Sequence, residues 1–446
     1  MKQDMMEGKI YYGYSRHHVQ EDNGIDIKLR FNGPRCIFSL CSTNALKEFM
    51  KLVPSKLDRM PFLSSIGKLF PNSMLQNKSS EDWSERRKAF SSMLDLNSSS
   101  KYIPMMLDSV KAYLKDWKEG ENIELTNQMN LITFKITISI LFGEDSVEYN
   151  KKLMYKHVDG RYTELDSIKF LLTISGDLFK GFYSFKTMAF PFLNSYNIGE
   201  PYKTNLENIN TFWNYIRNFL ENTKDENSAF MRLRKLGYLE DRAIFDDLIG
   251  FLLAGFETSS RAVTSTMYHA KKYPDKLRKL IDSLEANGIM QYQDNKNTIT
   301  KEKIQEIDYL NYFVREALRI DGPSISGLPY EAKEDITICS VKLPKGSEVQ
   351  LDIVEAAYNP KQWLDPFDFI PERFDPSSRY FKTPEKKLRD PCSMIPFSLG
   401  IRKCPGQTLA MLELKTILAY IFTSIDYSIS TDAKNSNNIG FGMGSV

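Results

Sequence analysis

Cysteine and histidine are scarce: the 446 residues contain five cysteines and four histidines. Cys36, Cys41, Cys339, Cys392 and Cys404 are odd in number, scattered, and form no Cys-x-x-Cys. That excludes the dense even framework of a disulfide-stapled secreted domain and argues against a zinc site. Reduced thiols are expected. Neither sign of charge is in excess, since 59 Lys+Arg against 57 Asp+Glu leaves 59 − 57 = +2. With no surplus to neutralise phosphates, no nucleic-acid partner is expected. Long apolar runs are missing as well. The most apolar window, Leu248 to Phe256, is nine residues between Asp247 and Glu257, whereas a bilayer-spanning helix needs about 18 or more. The opening residues, MKQDMMEGKI, lack the apolar core of a signal peptide. The chain therefore reads as neither spanning a membrane nor secreted.

What is present points to a large packed core. Hydrophobic residues make up 42% and aromatics 12%, too much for a disordered chain. Without repeats or a Gly/Ser linker, a single domain over 1–446 is expected. Ile25, Ile27, Leu29 and Phe31 alternate, pause at Gly33-Pro34 and resume at Ile37 and Phe38, which predicts a small antiparallel sheet. From about Ser79 to Lys272 the period becomes helical. Within it, Ile168 to Tyr196 is rich in Phe and Tyr (Phe170, Phe179, Phe182, Tyr183, Phe185, Phe190, Phe192) around a breaker at Pro191. It reads as core or pocket lid, with membrane-surface contact as the other reading. A helix is expected from Lys301 to Ile320, ending before Gly322-Pro323. A second sheet segment follows, with Ile336 and Ile338 before the turn Pro344-Lys345-Gly346 and Val349, Leu351 and Ile353 after it. Pro360 to Pro391 is irregular, and a last helix runs from just after Cys404 to about Phe422. The fold class expected is mainly α with small β-sheets (α+β).

One segment carries chemistry. Phe397-Ser-Leu-Gly400-Ile-Arg402-Lys-Cys404-Pro-Gly406 puts a cysteine at the end of a loop and just before a helix. N–H groups and the dipole at that helix start favour a thiolate at Cys404, and Pro405 suits the first helical position. Gly400 and Gly406 let the backbone approach something flat. A single thiolate cannot hold zinc or a four-cysteine cluster, but it can be the one axial ligand to an iron already held by a porphyrin. Otherwise Cys404 is a buried structural thiol, as most lone cysteines are. In Ala254-Gly255-Phe256-Glu257-Thr258-Ser259 the small residues leave room for a planar ligand. Thr258 can bond back to the Ala254 carbonyl, which loosens the helix. Glu257 is either buried with a task or partner, or a helix-surface acid.

The thiol segment resembles the haem-binding loop of the cytochrome P450 monooxygenases, and further blocks follow in the family's order. Trp83-Ser-Glu-Arg86-Arg87 resembles its Trp-x-x-x-Arg helix. Glu316-Ala-Leu-Arg319 and Trp363-x-x-Pro366-x-x-Phe369-x-Pro371-Glu372-Arg373-Phe374 resemble its structural network. The resemblance covers nearly the whole chain and implies long helices around a buried haem b whose iron is axially ligated by Cys404. It assigns Trp83, Arg87 and Arg402 to the haem propionates, and Phe397, Gly400, Gly406, Ala254 and Gly255 to the cofactor's surroundings. Glu257 and Thr258 would relay protons in dioxygen activation, and Glu316, Arg319 and Arg373 would interlock as a folding element.

The activity implied is insertion of one atom of O2 into an apolar small molecule. Electrons would come from an NADPH-dependent flavoprotein reductase or a ferredoxin-type donor, steered by Lys386, Lys387, Arg389 and Lys403, joined by Arg86 and Lys88. Pocket walls would come from Met60 to Leu69 and Ile168 to Tyr196. By the same resemblance the chain belongs at the cytoplasmic face of the endoplasmic reticulum membrane, with peripheral contact, or in the cytoplasm if the family's N-terminal anchor is truly missing. A haem-thiolate isomerase or dehydratase and a non-catalytic haem sensor are the alternatives. Three departures stand out: Tyr330 where many members carry an arginine, Ser340 for a glycine, and Ala357-Tyr358-Asn359 for His-Arg-Asp.

Overall fold

The computed structural model describes residues 25–32, 35–61, 65–144, 151–182, 202–236 and 241–429. Helices dominate, with three small sheets among the described residues. The N-terminal alternation becomes β1 (Ile27–Asn32) and β2 (Arg35–Leu40), antiparallel with Ile27 opposite Leu40. They are not a sheet of their own. β2 runs parallel to β9 (Glu348–Leu351), with Phe38 opposite Val349, and the sheet continues through β6 (Tyr330–Ala332) to β3 (Leu57–Arg59). The expected second sheet segment thus splits. β9 and β6 complete the first sheet, while β7 (Ile336–Ile338) and β8 (Val341–Leu343) form a hairpin. Its turn is Cys339-Ser340, both at positive φ, rather than Pro344-Lys345-Gly346. Ile353 does not extend β9, because Asp352 caps a short helix, Ile353–Tyr358, by accepting the Glu355 N–H at 3.0 Å.

Two further expectations are corrected. The stretch read as helical contains a hairpin, β4 (Lys152–Lys156) with β5 (Tyr162–Asp166), turned through Asp159-Gly160 with Gly160 at φ +87°. The helix expected over 301–320 is two, Lys301–Glu306 and Asp308–Asp321, because Ile307 sits at ψ 83°, outside the helical region. Phe170 is buried in the helix Ser167–Phe182. Tyr183, Phe185, Phe190, Pro191, Phe192 and Tyr196 lie outside the described residues, as do Phe62, Leu63 and Ser64.

The spine is the long helix Asp241–Lys272. Leu248, Ile249, Leu252, Leu253 and Phe256 pack in one apolar cluster, and Ala262, Val263, Met267 and Ala270 in a second. A helix apolar on more than one stripe is buried on more than one side. It presses on the helix Leu125–Phe142 so closely that a Cβ on Gly255 would lie 3.0 Å from Thr137 Cγ2. The C-terminal helix Gln407–Ser424 packs against it as well, with Ser259 Oγ donating to Glu413 at 2.8 Å. Among the described residues no helix is long and apolar enough to cross a membrane.

A buried ionic cluster pins the irregular segment after residue 360 to the helix Asp308–Asp321. Arg319 donates Nε and Nη2 to the two Glu316 oxygens at 2.8 and 2.7 Å, and Arg373 Nε reaches Glu316 at 3.0 Å. All three side chains are fully enclosed. The spare guanidinium N–H groups serve carbonyls that regular structure leaves bare: Ala357 at 2.9 Å, Pro366 at 2.7 Å and Asp368 at 3.1 Å for Arg319, and Leu364 and Asp365 for Arg373. Removing the one anion strands two buried cations. Glu316→Ala is therefore expected to cost about 3–5 kcal/mol, read as a fall in the urea midpoint.

Candidate active site

The thiol loop is closed by its own backbone. The Cys404 N–H donates to the Phe397 carbonyl at 2.8 Å, and the Lys403 N–H to the Gly400 carbonyl at 3.1 Å. Ser398 and Gly400 take positive φ, +61° and +67°. Gly400 is needed for that backbone angle, since a Cβ there would meet only Met50 Cγ at 3.7 Å. The C-terminal helix begins at Gln407 with Gly406 as its cap, so Pro405 stands ahead of the helix rather than at its first position.

Cys404 is exposed as a residue, yet protein closes around its thiol and that burial pushes the pKa up. The Gly406 N–H bond, Arg87 and Lys403 pull the other way. Arg87 donates to the Lys403 carbonyl and lies beside the thiol loop.

The other wall comes from the long helix. Ala254 is exposed although Leu252, Leu253 and Phe256 around it are buried, so its face of the helix is left uncovered. Thr258 Oγ1 donates to the Ala254 carbonyl at 2.7 Å, and Thr133 Oγ1 donates to the Phe256 carbonyl at 2.8 Å. Two carbonyls of one turn are thus shared with side chains, which weakens the ladder there. A Cβ on Gly255 would press on Thr137 of the neighbouring helix at 3.0 Å. Glu257 is neither free nor fully wet: it is largely buried and paired with Arg261 at 3.0 Å. The Ser259–Glu413 bond joins this helix to the thiol helix one residue from Thr258 and nine from Cys404.

A cationic end completes the site. Arg402 is buried, stacks 3.9 Å over the Trp83 ring, and donates to Asp58 (3.3 Å), Ser79 Oγ (2.7 Å) and the Asn77 carbonyl (2.8 Å). Ser80 caps the helix Glu81–Met93 and accepts the Trp83 N–H at 3.1 Å, which sets the indole in place. The indole N–H goes to the Met74 carbonyl at 3.1 Å and not outward, so Trp83 serves here as the platform under Arg402.

Sequence reasoning missed Arg59. It sits opposite Tyr330 in the β3–β6 register, with its guanidinium 4.5 Å over that ring, and so places a cation where the expected arginine is replaced by Tyr330. Arg59 Nε, Arg402 Nε and Tyr330 Oη are buried with no partner among the described residues. Burial and the nearby Arg59 lower the Arg402 pKa to about 10. Buried donors without acceptors beside excess positive charge suit a carboxylate-bearing group. Together with the exposed Cys404 and Ala254, they fit a haem with its acid groups at this end.

The comparisons with known proteins agree. A family model described as cytochrome P450 matches residues 27–445. The chain belongs to the cytochrome P450 family. It is 31% identical over 202 residues to cytochrome P450 71B31 of Arabidopsis thaliana, covering 44% of this chain and 38% of that protein. It is 28% identical over 321 residues to a (1S)-1-hydroxy-luvungin A synthase of Citrus sinensis, covering 72% of this chain and 60% of the relative. These alignments therefore span less than two thirds of the relatives' own lengths. The solved structure of the cytochrome P450DA heme domain superposes with a TM-score of 0.69 at 18% identity, covering 92% of this chain and 84% of that one, a likeness of fold. Cytochrome P450 proteins are haem-thiolate proteins whose iron a cysteine binds, and Cys404 stands in that loop.

Within this cytochrome P450 the basic face is smaller than expected. Arg86 is buried on Asp247 at 2.6 Å, and Arg389 lies over the Trp363 ring at 4.4 Å. Lys88, Lys386 and Lys403 remain exposed, and Lys387 pairs with Glu385 at 2.8 Å. Two buried carboxyls are displaced upward by burial, Asp247 to about 6 despite Arg86, and Glu413 to about 7.

Glu413 yields a pH prediction. Its folded pKa lies above its ordinary 4.5, so its favourable contribution is full below about pH 4.5 and is lost as pH rises to about 7. Between those limits wild type is expected to lose roughly 3 kcal/mol relative to Glu413→Gln, from (7 − 4.5) × about 1.36 kcal/mol per unit. Paired denaturant titrations across that range check it.

Proposed function

We propose that this chain is a haem-thiolate monooxygenase that places one oxygen atom of O2 on an apolar small molecule, using electrons from a separate reductase. The observation that supports it best is the exposed Cys404 in a fold that also buries three donors lacking an acceptor. Cys404 would hold the haem iron, while Arg59, Arg402 and Tyr330 would hold the acid groups. When bound, the haem supplies dioxygen activation and oxygen transfer, chemistry that side chains cannot perform.

The chain's own residues orient and shield. Ala254 leaves its face of the long helix uncovered, and Thr258 holds a proton at Oγ1 on the Ala254 carbonyl. Glu257 is engaged through Oε1 by Arg261. That bond is the one observation favouring the second reading, an isomerase or dehydratase that needs no external electrons. Lys88, Lys386 and Lys403 are the cations left to meet an acidic redox partner. The proposed setting is the cytoplasmic face of the endoplasmic reticulum membrane, where eukaryotic relatives are often found.

Reductant consumption coupled to product supports monooxygenation, and turnover without reductant supports the second reading. Cys404→Ala is expected to abolish the strongly red-shifted Soret band of the reduced carbon monoxide complex, recorded by difference spectroscopy. Thr258→Ala is expected to keep haem bound yet divert reducing equivalents to peroxide, measured as a falling ratio of product to reductant consumed.

A further inference from the structure

Asp247, beside the equally buried Asp246, is a carboxylate with no exposure just ahead of the apolar stretch of the long helix. Arg86 satisfies it from the tryptophan-bearing helix, Nε at 2.9 Å and Nη2 at 2.6 Å. An apolar pair of similar volume would pack such a helix crossing as well or better, so the ion pair alone gives no reason for burying charge there. What an apolar pair cannot do is accept a hydrogen bond. The other Asp247 oxygen, Oδ1, takes the Met74 N–H at 2.6 Å. Arg86 Nη2 also grips the neighbouring Asn72 carbonyl at 2.7 Å, and Asp246 accepts the Asn72 N–H and side-chain amide at 2.8 and 2.9 Å.

The same stretch lies tight on the long helix, where a Cβ on Gly250 would stand 2.6 Å from Ser73 Oγ and 3.0 Å from Leu75 Cδ1. The Met74 residue faces two ways. Its N–H is held by Asp247, and its carbonyl accepts from Trp83 Nε1 and Arg402 Nη1, each at 3.1 Å. Trp83 and Arg402 are the platform and the cation of the site's acid-binding end.

We propose that Asp247 is a positioning residue for the haem carboxylates: through the Met74 peptide it sets where Trp83 and Arg402 stand. The proposal rests on the haem-thiolate reading. Asp247 touches no reacting atom and acts through Met74, so a change there disturbs how firmly haem is held and the electrical surroundings of its acid groups.

The test uses the haem-loaded protein and two variants, Asp247→Asn and the double variant R86M/D247L. The double variant restores an uncharged packed core but cannot accept the Met74 N–H. Haem transfer to excess apomyoglobin gives the release rate, a redox titration gives the midpoint potential, and thermal melts report folding. The double variant R86M/D247L is expected to release haem on the order of ten-fold faster or more, with a displaced midpoint potential, whereas Asp247→Asn, whose amide oxygen can still accept the Met74 N–H, is expected to fall between it and wild type. The double variant is expected to do so with wild-type melting. If R86M/D247L melts like wild type and also releases haem at the wild-type rate with an unchanged potential, the role of Asp247 is packing alone and the inference is overturned. If wild type itself takes up no haem as a thiolate complex, the underlying functional reading is overturned first, and the two failures are told apart.

Discussion

One hydrogen bond between neighbouring helices carries the geometry of the site. Glu413 on the helix that follows Cys404 accepts from Ser259, the residue after Thr258, and both side chains are buried. This bond adds a directional contact near the sulfur and the alcohol to apolar packing, which is non-directional. The bond gives that packing a register. Enclosure raises the pKa of its acid to about 7, so near neutral pH the acid is only partly ionised and the contact avoids the full penalty of an ionised carboxylate in the core.

The long helix repeats this device along its length. Asp246 and Asp247 near its start hold the stretch 72–74, Ser259 in its middle holds the thiol helix, and Ser265 donates to Asp321 at 2.9 Å further along. Apolar side chains between these points supply the bulk of the burial. A spine that is oily over most of its surface and polar at a few enclosed points is both stable and specific about what it touches. At Ala254 it is exposed, on a turn where two carbonyls are shared with hydroxyls.

Local signals in the sequence were enough for the thiol loop and the apolar helix, because each lies within a short window whose residue types restrict the chemistry, whereas the Glu316 cluster, which reaches Arg373 far along the chain, came from the family resemblance. Long-range partners were not readable. Arg59 looked like any basic residue beside a proline-containing loop, and only the β3–β6 register brings it over Tyr330. Arg86 and Arg389 read as wet cations because charge is scored as exposed by default, yet Asp247 and the Trp363 ring enclose them. The β4–β5 hairpin did carry a local signal, Asp159-Gly160, masked by helical periodicity on both sides. Register also explains why the second sheet segment split, since which strands close a sheet is decided by partners far away in the chain.

The mixed sheet has a consequence for how the molecule comes into being. Ile37 in β2 pairs with Glu348 in β9, a separation of 348 − 37 = 311 residues. At roughly 5–20 residues per second, the ribosome delivers the second strand about 15–60 s after the first. Throughout that interval β2 has its hairpin mate on one side and a bare edge on the other, with Ile37 on one face and Leu40 on the opposite one both still uncovered. A nascent chain in this condition is a natural client for holding chaperones. Recombinant yield should therefore depend on synthesis speed and chaperone supply more than on any property of the finished fold.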